Sequence, residues 1–107
     1  MVGEKNFLKP LGLDRTKRLR FRIVTRKGRV VDFLVQLELF VKNKWWPVVR
    51  YDFAHGFPHR DVLTTRGEEE KTPLSLESLE QCVQFAEQDL EDRHEWYIEQ
   101  FLKKTGR

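Results

Sequence analysis

From Arg18 the chain alternates. Leu19, Phe21 and Ile23 fall between Arg18, Arg20 and Arg22, and a period of two predicts a half-buried strand with a basic outer face. Lys27-Gly28-Arg29 reads as a turn. Val31, Phe33, Val35, Leu37, Leu39 and Val41 then make one face of a long second strand. Its other face mixes Leu34 and Phe40 with Asp32, Gln36 and Glu38, so this face is partly covered as well. Asn43-Lys44 marks a second turn, Trp45 to Phe53 a third strand, and His59 to Thr65 a short fourth strand returning along it. Tight turns between successive runs favour an antiparallel meander.

After the polar stretch Thr64–Glu70 the period changes to about 3.6. Leu76, Leu79, Val83, Ala86, Leu90, Tyr97 and Phe101 lie on one helical stripe, with Ser75 as the expected N-cap. Glu77 and Glu80 near the start and Lys103 and Lys104 near the end match the helix dipole. Residues 1–17, interrupted by Gly3, Pro10 and Gly12, read as an irregular arm whose Phe7, Leu8, Leu11 and Leu13 can dock on the core. The expected fold is therefore α+β: a single domain over residues 1–107, with a four-stranded antiparallel meander sheet (18–65) packed by one long C-terminal amphipathic helix (75–104). Such a helix spans roughly 40 Å, more than four strands need. Its apolar end (Trp96, Tyr97, Ile98, Phe101, Leu102) is expected to cover residues 7–13 or a second copy of the chain. A break near Asp89–Asp92 would be the other way to accommodate it.

Composition narrows the classes. With 39% apolar and 35% charged residues among 107, the chain can bury one modest core. A single cysteine, Cys82, excludes an intramolecular disulfide and suits a reducing cytosol; within the helical stripe it reads as a small buried hydrophobe. Without an apolar run of about 18 residues no membrane span is expected, and the start lacks the layout of a signal peptide; the expected location is cytoplasmic. Charge is unevenly spread. Residues 1–29 hold ten Lys/Arg against Glu4 and Asp14, whereas residues 68–107 hold five against eleven acids. The basic front can hold phosphates, or it can pair with the acidic helix or face water.

The chemistry concentrates in residues 50–61, Arg-Tyr-Asp-Phe-Ala-His-Gly-Phe-Pro-His-Arg-Asp. On regular strands Arg50 and Asp52 share a face, as do His59 and Asp61. If the strands pair, these four face one another across a hairpin, with His55 in the connection. For phosphodiester cleavage, His59 and His55 can serve as the acid–base pair, Asp52 or Asp61 can orient an imidazole, and Arg50 can clamp the phosphate. Arg60 points the other way and ranks lower. The same residues can equally form a structural turn. No metal is expected: His55 and His59 are four apart, but Gly56 and Pro58 oppose the helix that would align them. Asp52 and Asp61 could complete a His/carboxylate set for a divalent ion. Of Trp45 and Trp46, one is expected in the core and the other packing outside or stacking on a base. There is no phosphate-cradling glycine loop, Gly-x-Ser-x-Gly elbow or zinc-finger spacing.

The order Arg50-Tyr51-Asp52, His55, Phe57-Pro58-His59, followed by a strand, a polar Gly loop and an amphipathic helix, resembles the small TumE-type toxins of prokaryotic toxin–antitoxin pairs. Those carry an Arg-aromatic-Asp-Asn-x-x-His segment and then Phe-Pro-His-His. Here Phe53 stands in place of the Asn and Arg60 in place of the second His, and the two elements lie closer together. The resemblance covers the central half of the chain. It implies a compact α+β toxin inhibited by a cognate antitoxin, and RNA as the usual kind of target. The expectation is a metal-independent ribonuclease without a cofactor, in which Arg18, Arg20 and Arg22 guide RNA to the His/Arg/Asp cluster. The alternative is a non-catalytic protein- or nucleic-acid-binding module, its helix offered to an antitoxin or a second copy.

Overall fold

The computed structural model describes residues 2–105, the side chains of residues 68, 69 and 105 apart. Six strands follow in chain order: β1 (Val2–Pro10), β2 (Lys17–Arg26), β3 (Arg29–Val41), β4 (Lys44–Asp52), β5 (His59–Thr64) and β6 (Gly67–Pro73). The helix α1 (Leu79–Thr105) closes the chain. The strands form one antiparallel sheet in sequential order. The α+β class, the meander and the long helix are as the periodicity predicts, but the sheet has six strands rather than four. The supposed irregular arm supplies β1, which pairs along β2 from Val2↔Arg26 to Pro10↔Arg18. The supposed polar loop supplies β6.

Two of the hairpins are closed by two-residue turns with both residues in the left-handed region, Lys27-Gly28 (φ 53° and 78°) and Lys42-Asn43 (φ 55° and 63°). This backbone twist matches that of the flanking strands. One face of the sheet is covered by α1. Leu19 and Phe21 pair with Leu37 and Val35, which pair in turn with Val49 and Tyr51. All six are buried against Cys82, Ala86, Leu90, Tyr97 and Phe101 of the helix. Burying side chains of this size contributes about 1.5–3 kcal/mol each, which is what holds the helix to the sheet.

A bulge interrupts the parity of β4. Val49 pairs with Leu37 but Pro47 pairs with Glu38, leaving Val48 as the extra residue. Beyond it Trp46, opposite Leu39, joins the helix-side core. Trp45 lies beside Phe40, with the Arg18 guanidinium 3.7 Å above its ring. The bulge also accommodates Pro47, which has no N–H to give a central strand.

The helix starts one turn later than expected. Ser78, not Ser75, is the cap, its Oγ accepting the Gln81 N–H at 3.2 Å, and Leu76 is exposed outside the helix. No break occurs at Asp89–Asp92. The N-terminal segment reaches the first half of the helix, where Lys9 pairs with Glu87 and Glu91, and Leu11 is buried in the core; at the far end Tyr97, Ile98 and Phe101 are buried while Trp96 and Leu102 stay exposed. Among the described residues no helix is long and apolar enough to cross a membrane.

At the helix start Glu80 reaches back to the β2–β3 turn, accepting from Arg29 Nε at 3.1 Å and from the Val30 N–H at 2.9 Å. Arg29 first, then the Val30 N–H and its own N–H, lower its pKa from the ordinary 4.5 to about 2. A lowered folded-state pKa stabilises above the unfolded value and ceases to do so as pH falls through the folded one. The stability that Glu80 contributes should therefore be full above about pH 4.5 and vanish towards pH 2. Urea midpoints of wild type and Glu80→Gln should differ at pH 6 and converge near pH 2; a constant difference would refute the linkage.

Candidate functional site

The hairpin between β4 and β5 sets Asp52 directly opposite His59 and Arg50 opposite Asp61. All four lie on the face that α1 leaves uncovered, because Tyr51 and Arg60, their alternating neighbours, point to the helix side. The strands are joined by a single 3-10 turn, Ala54–Gly56. Asp52 Oδ1 starts it by accepting the Ala54 N–H at 3.3 Å, and His55 (φ 69°) and Gly56 (φ 83°) complete it in the left-handed region. His55 shares this conformation with the turn residues Lys27, Lys42 and Asn43, and histidine enters it more readily than most side chains; here it turns the imidazole out at the tip of the hairpin.

Three of the five expected site residues converge. His59, 1% exposed, has its Nδ1 3.0 Å from the Phe57 carbonyl oxygen. A carbonyl can only accept, so Nδ1 carries a hydrogen and Nε2 is the nitrogen left for other partners. Nε2 lies 2.8 Å from Asp52 Oδ1 and 3.4 Å from Asp61 Oδ2. The other oxygen of Asp61 accepts from Lys71 Nζ at 2.9 Å. The ligand atoms of Asp52, His59 and Asp61 all lie within 4.8 Å of one another, so this trio could hold a cation.

The other two stand beside the trio. Arg50 turns its Nε to Gln36 Oε1 at 2.7 Å. His55 is exposed at the hairpin tip, its ring centroid 6.4 Å from that of His59, while Phe57 packs on His59 at 5.1 Å. The two histidines thus differ: His55 meets solvent, and His59 has both nitrogens engaged beneath the surface.

Arg18, Arg20 and Arg22 lie on the same helix-free face, but their charges are matched. Arg18 and Arg20 each donate through Nε to the two oxygens of Glu38, at 2.7 and 2.8 Å, and Gln36 Nε2 donates to the same carboxylate at 2.7 Å. Arg22 pairs with Glu4 and Asp32. A polar ladder therefore runs from β2 through Glu38, Gln36 and Arg50 towards the hairpin. Nothing in the strand pattern marks Glu38 as its centre beyond two polar residues, Gln36 and Glu38, set in an otherwise apolar run.

A second polar cluster lies on the helix side and has no counterpart among the expected residues. Tyr51 and Tyr97 both donate their hydroxyls to Asp89 Oδ2 at 2.6 Å, and Arg60 Nη1 donates to the Tyr97 oxygen at 3.3 Å. Burial first, then the bond to Asp89, pushes both phenols upward, so both stay neutral donors. Arg60, Arg93, Trp96 and Tyr97 line a cavity of about 220 Å³ beside it. Cys82 is fully buried, and burial raises its thiol pKa, as suits a packing residue.

A protein-family model, described as a domain of unknown function (DUF7718), matches residues 2–107. No curated protein matches, and no solved structure matches.

Proposed function

The chain belongs to the DUF7718 family, whose description assigns no activity, and from the site itself we propose that the protein cleaves RNA at the β4–β5 hairpin, as the toxin-like component of a prokaryotic toxin–antitoxin pair. The observation that carries the chemical part is His55: an exposed imidazole, in a left-handed backbone conformation, beside a buried His59 that two aspartates hold. In this reading His55 transfers the proton at the ribose hydroxyl or the leaving oxygen. Arg50, steadied at Nε by Gln36, has its remaining N–H groups to offer a phosphate. His59, Asp52 and Asp61 are positioning residues that fix the hairpin. His59 does not share the proton transfer, since it is 1% exposed with both nitrogens engaged. The toxin setting rests on the Arg50-Tyr51-Asp52, His55, Phe57-Pro58-His59 order, and the exposed Trp96 and Leu102 of α1 offer an antitoxin or a second copy an apolar surface.

Purified protein incubated with total RNA is expected to cleave it, and His55→Ala to slow cleavage about a hundredfold with an unchanged melting temperature. Equal rates in both, or no cleavage by either, would overturn the nuclease reading. One observation favours a protein-binding module without chemistry: Arg18, Arg20 and Arg22 of the helix-free face are matched by Glu38, Glu4 and Asp32, which leaves them little charge to offer a phosphate backbone. Its signature would be a folded protein that neither retains nor cleaves RNA at physiological salt.

A further inference from the structure

We infer that Asp52, His59 and Asp61 form a binding site for one first-row divalent cation, zinc or manganese by ligand type, within the hairpin proposed above as the functional site. The inference begins with convergence. The Phe57 carbonyl engages Nδ1 of His59, which leaves Nε2 facing two carboxylate oxygens, 2.8 and 3.4 Å away. His59 and Asp61 are buried, Asp52 is half-buried, and one ligand atom from each lies within 4.8 Å of the others. Two carboxylates drawn together away from water call for a cation between them.

Geometry favours the metal. Ligand bonds of about 2.0–2.2 Å place neighbouring donors about 3.0–3.5 Å apart; the Asp61 oxygen already stands 3.4 Å from Nε2, whereas the Asp52 oxygen, at 2.8 Å, is at hydrogen-bond distance and would move outward by a few tenths of an ångström to share a metal. A proton needs one acceptor, whereas here two carboxylates from different strands converge on the same atom. The outer contacts also match those of metal ligands: a backbone carbonyl fixes the tautomer and orientation of the imidazole, and Lys71 holds the oxygen of Asp61 that faces away from Nε2. One imidazole with two carboxylates suits zinc or manganese better than the all-oxygen preference of calcium. Asp52 is the least buried of the three, with 16% of its side chain exposed, and it borders a shallow hollow with Arg22, Leu34 and Ala54.

The test is calorimetric titration of chelator-treated, dialysed protein with zinc chloride and, separately, manganese chloride. One equivalent of at least one of these ions should bind, and Asp52→Asn and His59→Gln should each weaken binding at least tenfold. Circular dichroism checks the fold; if the buried His59 variant does not fold, Asp52→Asn, at the solvent side, carries the test. Absence of saturable binding of either ion, or undiminished binding by Asp52→Asn, would overturn the inference and leave the trio as a structural hydrogen-bonded cluster. Because calorimetry reads the ion directly, a site that binds metal in a protein that does not cleave RNA sinks only the nuclease reading. Cleavage by a protein that binds no metal sinks only the site.

Discussion

Tyr51→Ala is expected to destabilise the protein by about 3–5 kcal/mol, the cost of removing a large aromatic side chain from a packed core. Tyr51 is fully buried. It sits opposite Val35 on β3, meets the edge of Phe85 at 6.1 Å, and sends its hydroxyl to Asp89 on α1. Truncation would open a cavity between sheet and helix and take a donor from a carboxylate that keeps only 10% of its side chain exposed. For a domain whose whole stability is of the order of 5–15 kcal/mol, that is a large fraction. Tyr51→Phe separates the terms: it keeps the ring and loses only the hydrogen bond, for about 1–2 kcal/mol, because Asp89 retains Tyr97 and Arg93. Urea unfolding of the three proteins measures both effects. If alanine cost no more than phenylalanine, packing of α1 against β4 would not be what holds the helix.

The same residue shows what a sequence can and cannot reveal here. Tyr51 is legible as a core residue because it alternates with Arg50 and Asp52 on a strand covered on one side only. The four inner strands were legible for that reason, each carrying an apolar face with period two. The outer two were not. β1, Val-Gly-Glu-Lys-Asn-Phe-Leu-Lys-Pro, is exposed along nearly its whole length. With neither face fully buried, an edge strand has no alternation to impose. β6, Gly-Glu-Glu-Glu-Lys-Thr-Pro, carries the charges that protect a sheet edge from further pairing, and the same charges make it read as a loop.

The site was legible to the same degree. Arg50, Asp52, His59 and Asp61 fall on one face because strand parity and a short connection leave no other register, and the pairing Asp52↔His59 follows directly. Lys71 was not foreseeable, since its strand was not. Nor was the division between the histidines: it depends on Phe57 lying over His59 and on the turn that lifts His55 outward. Trp45 and Trp46 were ambiguous in sequence because a bulge, invisible in the pattern, decides which of them faces the helix. The Tyr51–Asp89–Tyr97 cluster is not legible because it joins β4 to Asp89, 38 residues away in sequence, and to Tyr97 two turns further along the helix.

Glu38→Ala is expected to cost about 2–4 kcal/mol at neutral pH, from breaking one side of a buried, hydrogen-bonded charge cluster. Its side chain is 6% exposed and holds Arg18, Arg20 and Gln36 together. Removing it leaves two guanidinium groups side by side; since Arg20 is 46% exposed, water relieves part of the loss, and the cost falls short of the fully buried limit. The pH dependence distinguishes this from a simple packing defect. Burial alone would raise the Glu38 pKa, but the bonds from Arg20, Arg18 and Gln36 outweigh it and hold the pKa below 4.5. A lowered folded-state pKa makes the carboxylate's contribution complete above about pH 4.5 and progressively lost below it. The difference in urea midpoint between wild type and Glu38→Gln, which keeps the shape and removes the charge, should therefore be largest at pH 6–7 and shrink steadily towards pH 3. Were it the same at both ends, Glu38 would be holding the helix-free face by shape alone, and the polar ladder from β2 to Arg50 would have no electrostatic centre.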